Sequence, residues 1–190
     1  IRLFESAAFE VPGGSDAPDD DGPVARLEPV MCDHDQTGSA AFVIECGSSR
    51  LGWATDLGRV PARLLERFRD LDAVAIESNY DPARQAASDR PAFLKQRITG
   101  GTGHLANEQA LAAVDRIAAA SPEGLSRVVL LHLSRECNCP RLVKELWRRQ
   151  APRLADRLLI TEQDRPSAWV PVAPARRRRA RGGGRQATLF

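Results

Sequence analysis

No stretch of the 190-residue sequence approaches the roughly 18 consecutive apolar residues that a membrane-crossing helix needs, and no signal-peptide pattern opens the chain as given. Neither a membrane protein nor a collagen-like fibre is expected. Cysteine is sparse: Cys32, Cys46, Cys137 and Cys139 fit neither a zinc-ribbon nor a secreted disulfide spacing. Cys137 and Cys139 stand too close for an easy bridge, so reduced thiols and a cytoplasmic protein are expected. Lysine is almost missing, with 25 arginines to 2 lysines. That ratio reads as a coding bias of the source and not as a functional choice. Histidine occurs three times. Methionine does not stand at position 1, where Ile1 does, so the chain is expected to be processed, excised or incomplete.

What is present describes an ordinary soluble domain. Hydrophobic residues at 43% and charged residues at 27% are globular proportions, not disordered ones, and 20.8 kDa is enough for one core. Charge is unevenly spread. Residues 176–190 hold six arginines and no acid, so a chain of formal charge +2 carries −4 over residues 1–175. The basic end is either a handle for nucleic acid or another polyanion, or a solubilising end. Residues 12–23 (PGGSDAPDDDGP) read as an acidic turn between strands, because the alternating acids and distal Glu of a calcium loop are absent.

Extended runs are expected at 1–10, 24–30, 41–46 and 50–55, with turns at Gly38 and Gly47. Apolar spacing predicts a helix over 60–69, with Pro61 in its first turn. The run 72–77 reads as a buried strand, 104–120 as a helix, 128–131 as a buried strand and 140–149 as a helix. That alternation predicts a layered α/β domain.

The histidines fall at the ends of these elements. His34 lies between two strands, His132 follows the apolar run 128–131, and Asp56 follows the run 50–55. Imidazole and carboxylate groups projecting from adjacent strand ends suit Zn²⁺ or a neighbouring first-row ion. Each taken alone is equally a hydrogen-bonded loop residue or a turn residue.

The order His34, Thr55-Asp56-Leu-Gly58, Glu77-Ser-Asn-Tyr-Asp81, Gly103-His104-Leu-Ala-Asn-Glu108 and His132-Leu-Ser-Arg-Glu-Cys-Asn138 resembles the metallo-β-lactamase fold. More narrowly it is similar to the YycJ/WalJ-like branch of DNA exonucleases, related to tRNase Z, over about residues 27–146. The resemblance implies an αββα sandwich of which this chain holds the C-terminal half. Residues 1–170 would form that portion, and 171–190 a disordered Pro/Arg/Gly tail. It implies two divalent metal ions, Zn or Mn, with His34, Asp56 and His132 as ligands and Asp56 bridging the pair. It implies that His104 contacts the scissile phosphate or protonates the leaving oxygen, with Glu77 as its partner. A histidine opening the helix 104–120 would suit a phosphate there, since helix N-termini favour anions.

Two departures matter. The His-x-His-x-Asp-His run that supplies most of that family's ligands is absent, so the site is incomplete and little activity is expected from this chain alone. Half a sandwich would also expose an apolar sheet face. Tyr80 stands where relatives often carry His, and Ala106 where Ser is common.

The chain ends Gln186-Ala-Thr-Leu189-Phe190, which resembles the bacterial sliding-clamp-binding peptide, with Ala187 in place of a frequent Leu. Such a peptide seats Leu and Phe in an apolar pocket while Gln fixes register. DNA and the clamp are the expected partners of an exonuclease in repair or replication. A non-catalytic adaptor on DNA and clamp, or a metallo-hydrolase of small esters or thioesters, are the competing readings. Deleting residues 186–190 is expected to abolish binding to the source's own clamp in a pull-down or anisotropy titration; unchanged affinity would remove the tether.

Overall fold

The computed structural model describes residues 7–12 and 24–174. The acidic stretch 13–23, the arginine-rich tail and the peptide Gln186, Leu189, Phe190 lie outside the described residues. Of the expected opening strand, β1 is described as Phe9–Val11.

Four antiparallel strands come first: β1, then β2 (Ala25–Cys32), β3 (Ser39–Cys46) and β4 (Ser49–Ala54). Tight turns join the last three, and Gly38 and Gly47 take the positive φ that those turns require. From β4 onward the sheet is parallel. β5 (Ala73–Glu77) lies beside β4, β6 (Arg127–Leu131) beside β5, and β7 (Leu158–Ile160) beside β6. Parallel neighbours need crossovers, and helices supply them. α1 (Ala62–Arg67) joins β4 to β5. The helices α2 (Pro82–Ala87), α3 (Ala92–Thr99) and α4 (Asn107–Ala119) join β5 to β6. The last crossover holds α5 (Pro140–Gln150) and α6 (Pro152–Ala155). The seven strands lie in sequence order across the sheet.

Side-chain alternation along the strands divides the sheet into two faces. Val43, Ala54, Val74, Ile76, Val128 and Leu130 join Leu64, Phe68, Val114, Ile117 and Trp147 in the main core, beneath the helices. Ile44, Leu51, Trp53, Ala75, Val129 and Leu131 point the other way and line a groove of about 830 Å³. The segment 166–172 lies along that groove, tied by the Ser49 hydroxyl donating to the Val172 carbonyl at 3.0 Å. The apolar face expected of a half-sandwich is thus partly covered by the chain's own C-terminal stretch. Trp53 and Trp169 remain 39% and 73% exposed on it. No helix of the described residues is long and apolar enough to cross a membrane.

One expected boundary moves. The helix expected over 104–120 starts at Asn107, with Ala106 extended at its N-cap (ψ 160°). The backbone before it is committed elsewhere: the His104 amide donates to the Ile98 carbonyl at 2.8 Å, and the Leu105 carbonyl accepts from Asn79 at 3.0 Å. His104 therefore sits in a loop and does not open the helix. Gln109 closes the N-terminus, its side chain accepting from the Ala106 amide at 2.8 Å. The short elements α2, α3, α6 and β7 are additions to the sequence reading, and α2 is capped by Asp81, which accepts from the Arg84 amide at 2.9 Å.

The strands β2, β4, β5 and β6 share a direction, because β3 is antiparallel to both β2 and β4. Their C-terminal ends form one edge, where ligands bind in open α/β sheets. Gly52 lets α1 and its exit loop close on β4, since a Cβ there would stand 2.7 Å from Phe68 and from Leu71. Both of those side chains are buried and unable to retreat. Gly52→Ala is expected to destabilise the domain by about 1–3 kcal/mol, the usual cost of overpacking, read from the urea midpoint.

Candidate metal centre

Four loops at that edge carry the polar groups. His34 follows β2, Asp56 follows β4, Glu77 ends β5 and His132 follows β6. His104 enters from the loop between α3 and α4. All five side chains singled out in the sequence come together. One ligand atom each from Asp56, Glu77, His104 and His132 lies within 4.8 Å of the others. His34 joins through its Nε2, 3.9 Å from Asp56 Oδ1. Its ring centroid is 5.1 Å from that of His104, which in turn is 5.0 Å from that of His132.

Backbone conformation aims two of these groups. Asp56 and His132 have φ of +55° and +59°, and Asp35 beside His34 has +42°. Residues other than glycine adopt this region at a cost, and such strain gathers at functional sites. Asn79 holds the turn at His132: its side-chain amide donates to the His132 carbonyl at 2.8 Å, while its own carbonyl accepts from Ser134 at 2.8 Å. The Ser39 hydroxyl does the same for Asp56, donating to its carbonyl at 2.7 Å.

Glu77 is wholly buried, and one carboxylate oxygen accepts from the Leu57 amide at 2.7 Å. The other, Oε1, lies 2.7 Å from His104 Nδ1 and 3.7 Å from His132 Nδ1. Burial pushes this carboxyl up. The two imidazoles and the Leu57 amide outweigh that push and hold it below its ordinary range. The same carboxylate, with Asp56 3.4 Å from its Nδ1, raises His132 above the usual imidazole range against the opposing effect of burial. Despite its short approach, the Glu77 Oε1–His104 Nδ1 contact lacks hydrogen-bond direction, so two buried polar atoms face each other without a completed bond.

That arrangement fits a cation. Two carboxylates and neutral imidazoles make a donor set of net charge −2 with orphaned buried atoms, the composition that a hard or borderline divalent ion takes. The ring of His34 is already prepared for such a role. Its Nδ1 faces the Gly103 carbonyl at 3.0 Å, and a carbonyl only accepts, so Nδ1 carries the proton. In the neutral ring Nε2 then keeps its lone pair on the Asp56 side.

Several supporting residues escaped the sequence reading. Asn138 is buried and donates to the Ser78 and Asn79 carbonyls and to Asn107 Oδ1, at 2.9, 3.0 and 2.9 Å. Ser78 donates to Asn107 at 2.7 Å. This network ties the loops after β5 and β6 to the start of α4. Asn107 therefore works as an interior strut and not as a helix cap. The segments Glu77-Ser-Asn, Ala-Asn107-Glu and Glu-Cys-Asn138 carried the signal as clustered amides, but amides on loops are too common to single out.

Residues 11–133 match the family model described as the beta-lactamase superfamily domain. A curated relative, exodeoxyribonuclease YycJ from Bacillus anthracis, is 28% identical over 120 residues, covering 63% of this chain and 44% of that protein. The metallo-beta-lactamase fold protein YhfI from Bacillus subtilis has a TM-score of 0.52 at 13% identity, over 75% of this chain and 50% of its own. A diphosphatase from the PhnP family has 0.51 at 15% identity, over 85% and 45%. The chain thus spans about half the length of the proteins it matches or less.

Gly58 brings the Asp56 and His104 loops together, and Gly103 folds the His104 loop back onto the end of α3. A Cβ on Gly58 would stand 2.3 Å from the Gly101 carbonyl oxygen, and one on Gly103 would stand 2.1 Å from that of Ile98. Gly58→Ala is expected to part these loops and weaken Zn²⁺ or Mn²⁺ affinity about tenfold or more, on the scale of lost supporting contacts around metal ligands. Chelator competition reads this, with far-UV circular dichroism retained; an unchanged affinity would show that the loops do not position the ligands.

Proposed function

The chain belongs to the β-lactamase superfamily, and we propose that the protein is a metal-dependent phosphodiester hydrolase acting on DNA as an exonuclease in repair or replication. The observation that carries this reading is the convergence of three histidines and two carboxylates on one edge of the sheet, with a buried Glu77 beside His104. The likeness to an exodeoxyribonuclease and to a diphosphatase supports a phosphoryl bond as the one cleaved.

His34, Asp56 and His132 are the proposed ligands of divalent ions, Zn or Mn. When bound, such an ion supplies Lewis acidity toward a phosphoryl oxygen. Asp56 offers two oxygens and stands between His34 and His132, 3.9 and 3.4 Å from their nearest nitrogens, so it suits a bridging role. His104 is the proposed proton donor to the leaving oxygen. Glu77 Oε1 flanks the Nδ1 edge of the His104 ring at 2.7 Å, which leaves Nε2 on the other edge to carry the transferred proton. The Leu57 amide holds Glu77 in turn, so the carboxylate beside His104 is positioned from the main chain of the loop that also carries Asp56.

Three ligands do not close two ion sites, and the activity is proposed for the full-length protein. The sliding clamp is the proposed partner of the C-terminal peptide, through Gln186, Leu189 and Phe190, with the preceding arginines close to DNA. In the full-length protein, His132→Ala is expected to lower metal content and nuclease rate together. His104→Ala is expected to cut turnover by roughly 10²–10⁴ while metal stays bound, the scale of a lost general acid. Metal analysis beside a single-stranded DNA assay separates the two. Loss of metal from His104→Ala would make it a ligand, and an unchanged rate in His132→Ala would overturn the metal assignment.

A further inference from the structure

A cavity of about 610 Å³ opens beside the proposed centre, lined by His104 but not by Asp56, Glu77 or His132. It therefore lies on the proton-donor side. Three arginines from three segments line it: Arg90 from the loop before α3, Arg97 from α3, and Arg135 from the loop after β6. Each is held by an acid. Arg90 donates to Glu136 at 2.8 Å, Arg97 donates to both carboxylate oxygens of Asp35 at 3.2 and 2.7 Å, and Arg135 pairs with Asp164. Arg97 and Arg135 are 64% and 63% exposed at their side chains, whereas Arg90 is 22% exposed and also reaches Gln85 and Ser134.

Exposed pairs such as those of Arg97 and Arg135 contribute little to stability, so structure alone gives no reason for two of them on one cavity. A guanidinium exchanges a single carboxylate for a phosphate readily, because its planar fork takes two phosphate oxygens at once. Over residues 1–175 the formal charge is −4, so a polyanion needs local cationic groups to be accepted near His104. We propose that Arg97 and Arg135, with Arg90 bound to Ser134 and Glu136 on either side of Arg135, form a subsite for the backbone phosphates of a single-stranded nucleic acid on the leaving-group side of the cleaved bond. This rests on the phosphodiesterase reading above. It deepens that reading by making the substrate a strand with phosphates beyond the one cut, and not a small ester.

The test uses the full-length protein and two substrates. One is a fluorescent oligothymidylate, followed by anisotropy across a salt series and by cleavage. The other is bis(p-nitrophenyl) phosphate, which has a single phosphate and cannot fill the subsite. Arg97→Ala/Arg135→Ala is expected to weaken oligonucleotide binding about tenfold or more, the scale of lost charged hydrogen bonds. It should also flatten the log–log salt slope by about 1.4, or about 0.7 for each phosphate contact on a single strand. Its kcat/KM on bis(p-nitrophenyl) phosphate should match the parent. Asp164→Asn, which frees Arg135, should bind the oligonucleotide more tightly and guards against misfolding of the double variant. Unchanged affinity and slope in both variants, or an equal loss on the one-phosphate substrate, would overturn the subsite. If the parent cleaves neither substrate the phosphodiesterase reading fails by itself, and the binding series still decides whether the arginines hold a strand.

Discussion

A carboxylate with no solvent exposure is the constraint around which this edge of the sheet is arranged. Glu77 ends a strand buried at every position, where an uncompensated charge would cost far more than a domain can spare. Its two oxygens are answered from different directions. The Leu57 amide takes one, which fixes the loop carrying Asp56, and the imidazoles of His104 and His132 face the other. One buried charge thereby sets the positions of three groups on three separate segments. The same contacts hold Glu77 ionised, so the site keeps a negative centre into which a cation or an imidazolium proton is drawn.

Around that charge the main chain is forced into conformations that the rest of the fold sustains. Asp56 and His132 lie in the left-handed region at the ends of neighbouring parallel strands, and hydrogen bonds from Ser39 and Asn79 to their carbonyls hold them there. Close backbone approach leaves no room for a side chain at Gly58, between the Asp56 and His104 loops, or at Gly103, against the end of α3. Asn138, Asn107 and Ser78 complete a buried polar network in which the amide groups satisfy one another. Networks of this kind rigidify when fully paired. The geometry of the candidate metal centre is therefore preorganised by local strain and buried amides rather than by the hydrophobic core, which lies beneath the helices.

Much of the architecture was legible in the sequence for simple reasons. Alternation and turn residues marked β2 to β4, and the continuous apolar run ending at Glu77 marked a strand covered on both faces. His34, Asp56 and His132 at strand ends pointed to one edge, because parallel strands bring their C-terminal ends together. The start of α4 was not legible. Alanine and leucine periodicity runs on through His104, and only the tertiary bonds of its amide to Ile98 and of Leu105 to Asn79 stop the helix at Asn107. Helix α3 is short and mostly exposed, and its inward pair Leu94 and Ile98 is too brief a stripe to read. The arginine-lined cavity was equally hidden, since Arg90, Arg97 and Arg135 meet only once the crossovers are folded.

The central claim is that His34, Asp56 and His132 ligate a divalent ion while His104 stays with Glu77 as the proton carrier. Anomalous diffraction at the metal edge, on crystals of the full-length protein grown with Zn²⁺ or Mn²⁺, tests it most directly. The account predicts a peak at coordination distance, about 2.0–2.2 Å, from a carboxylate oxygen of Asp56 and a nitrogen of His132 or His34, with His104 still against Glu77. A peak coordinated by His104 and Glu77, or no peak at this edge of the sheet, would contradict it.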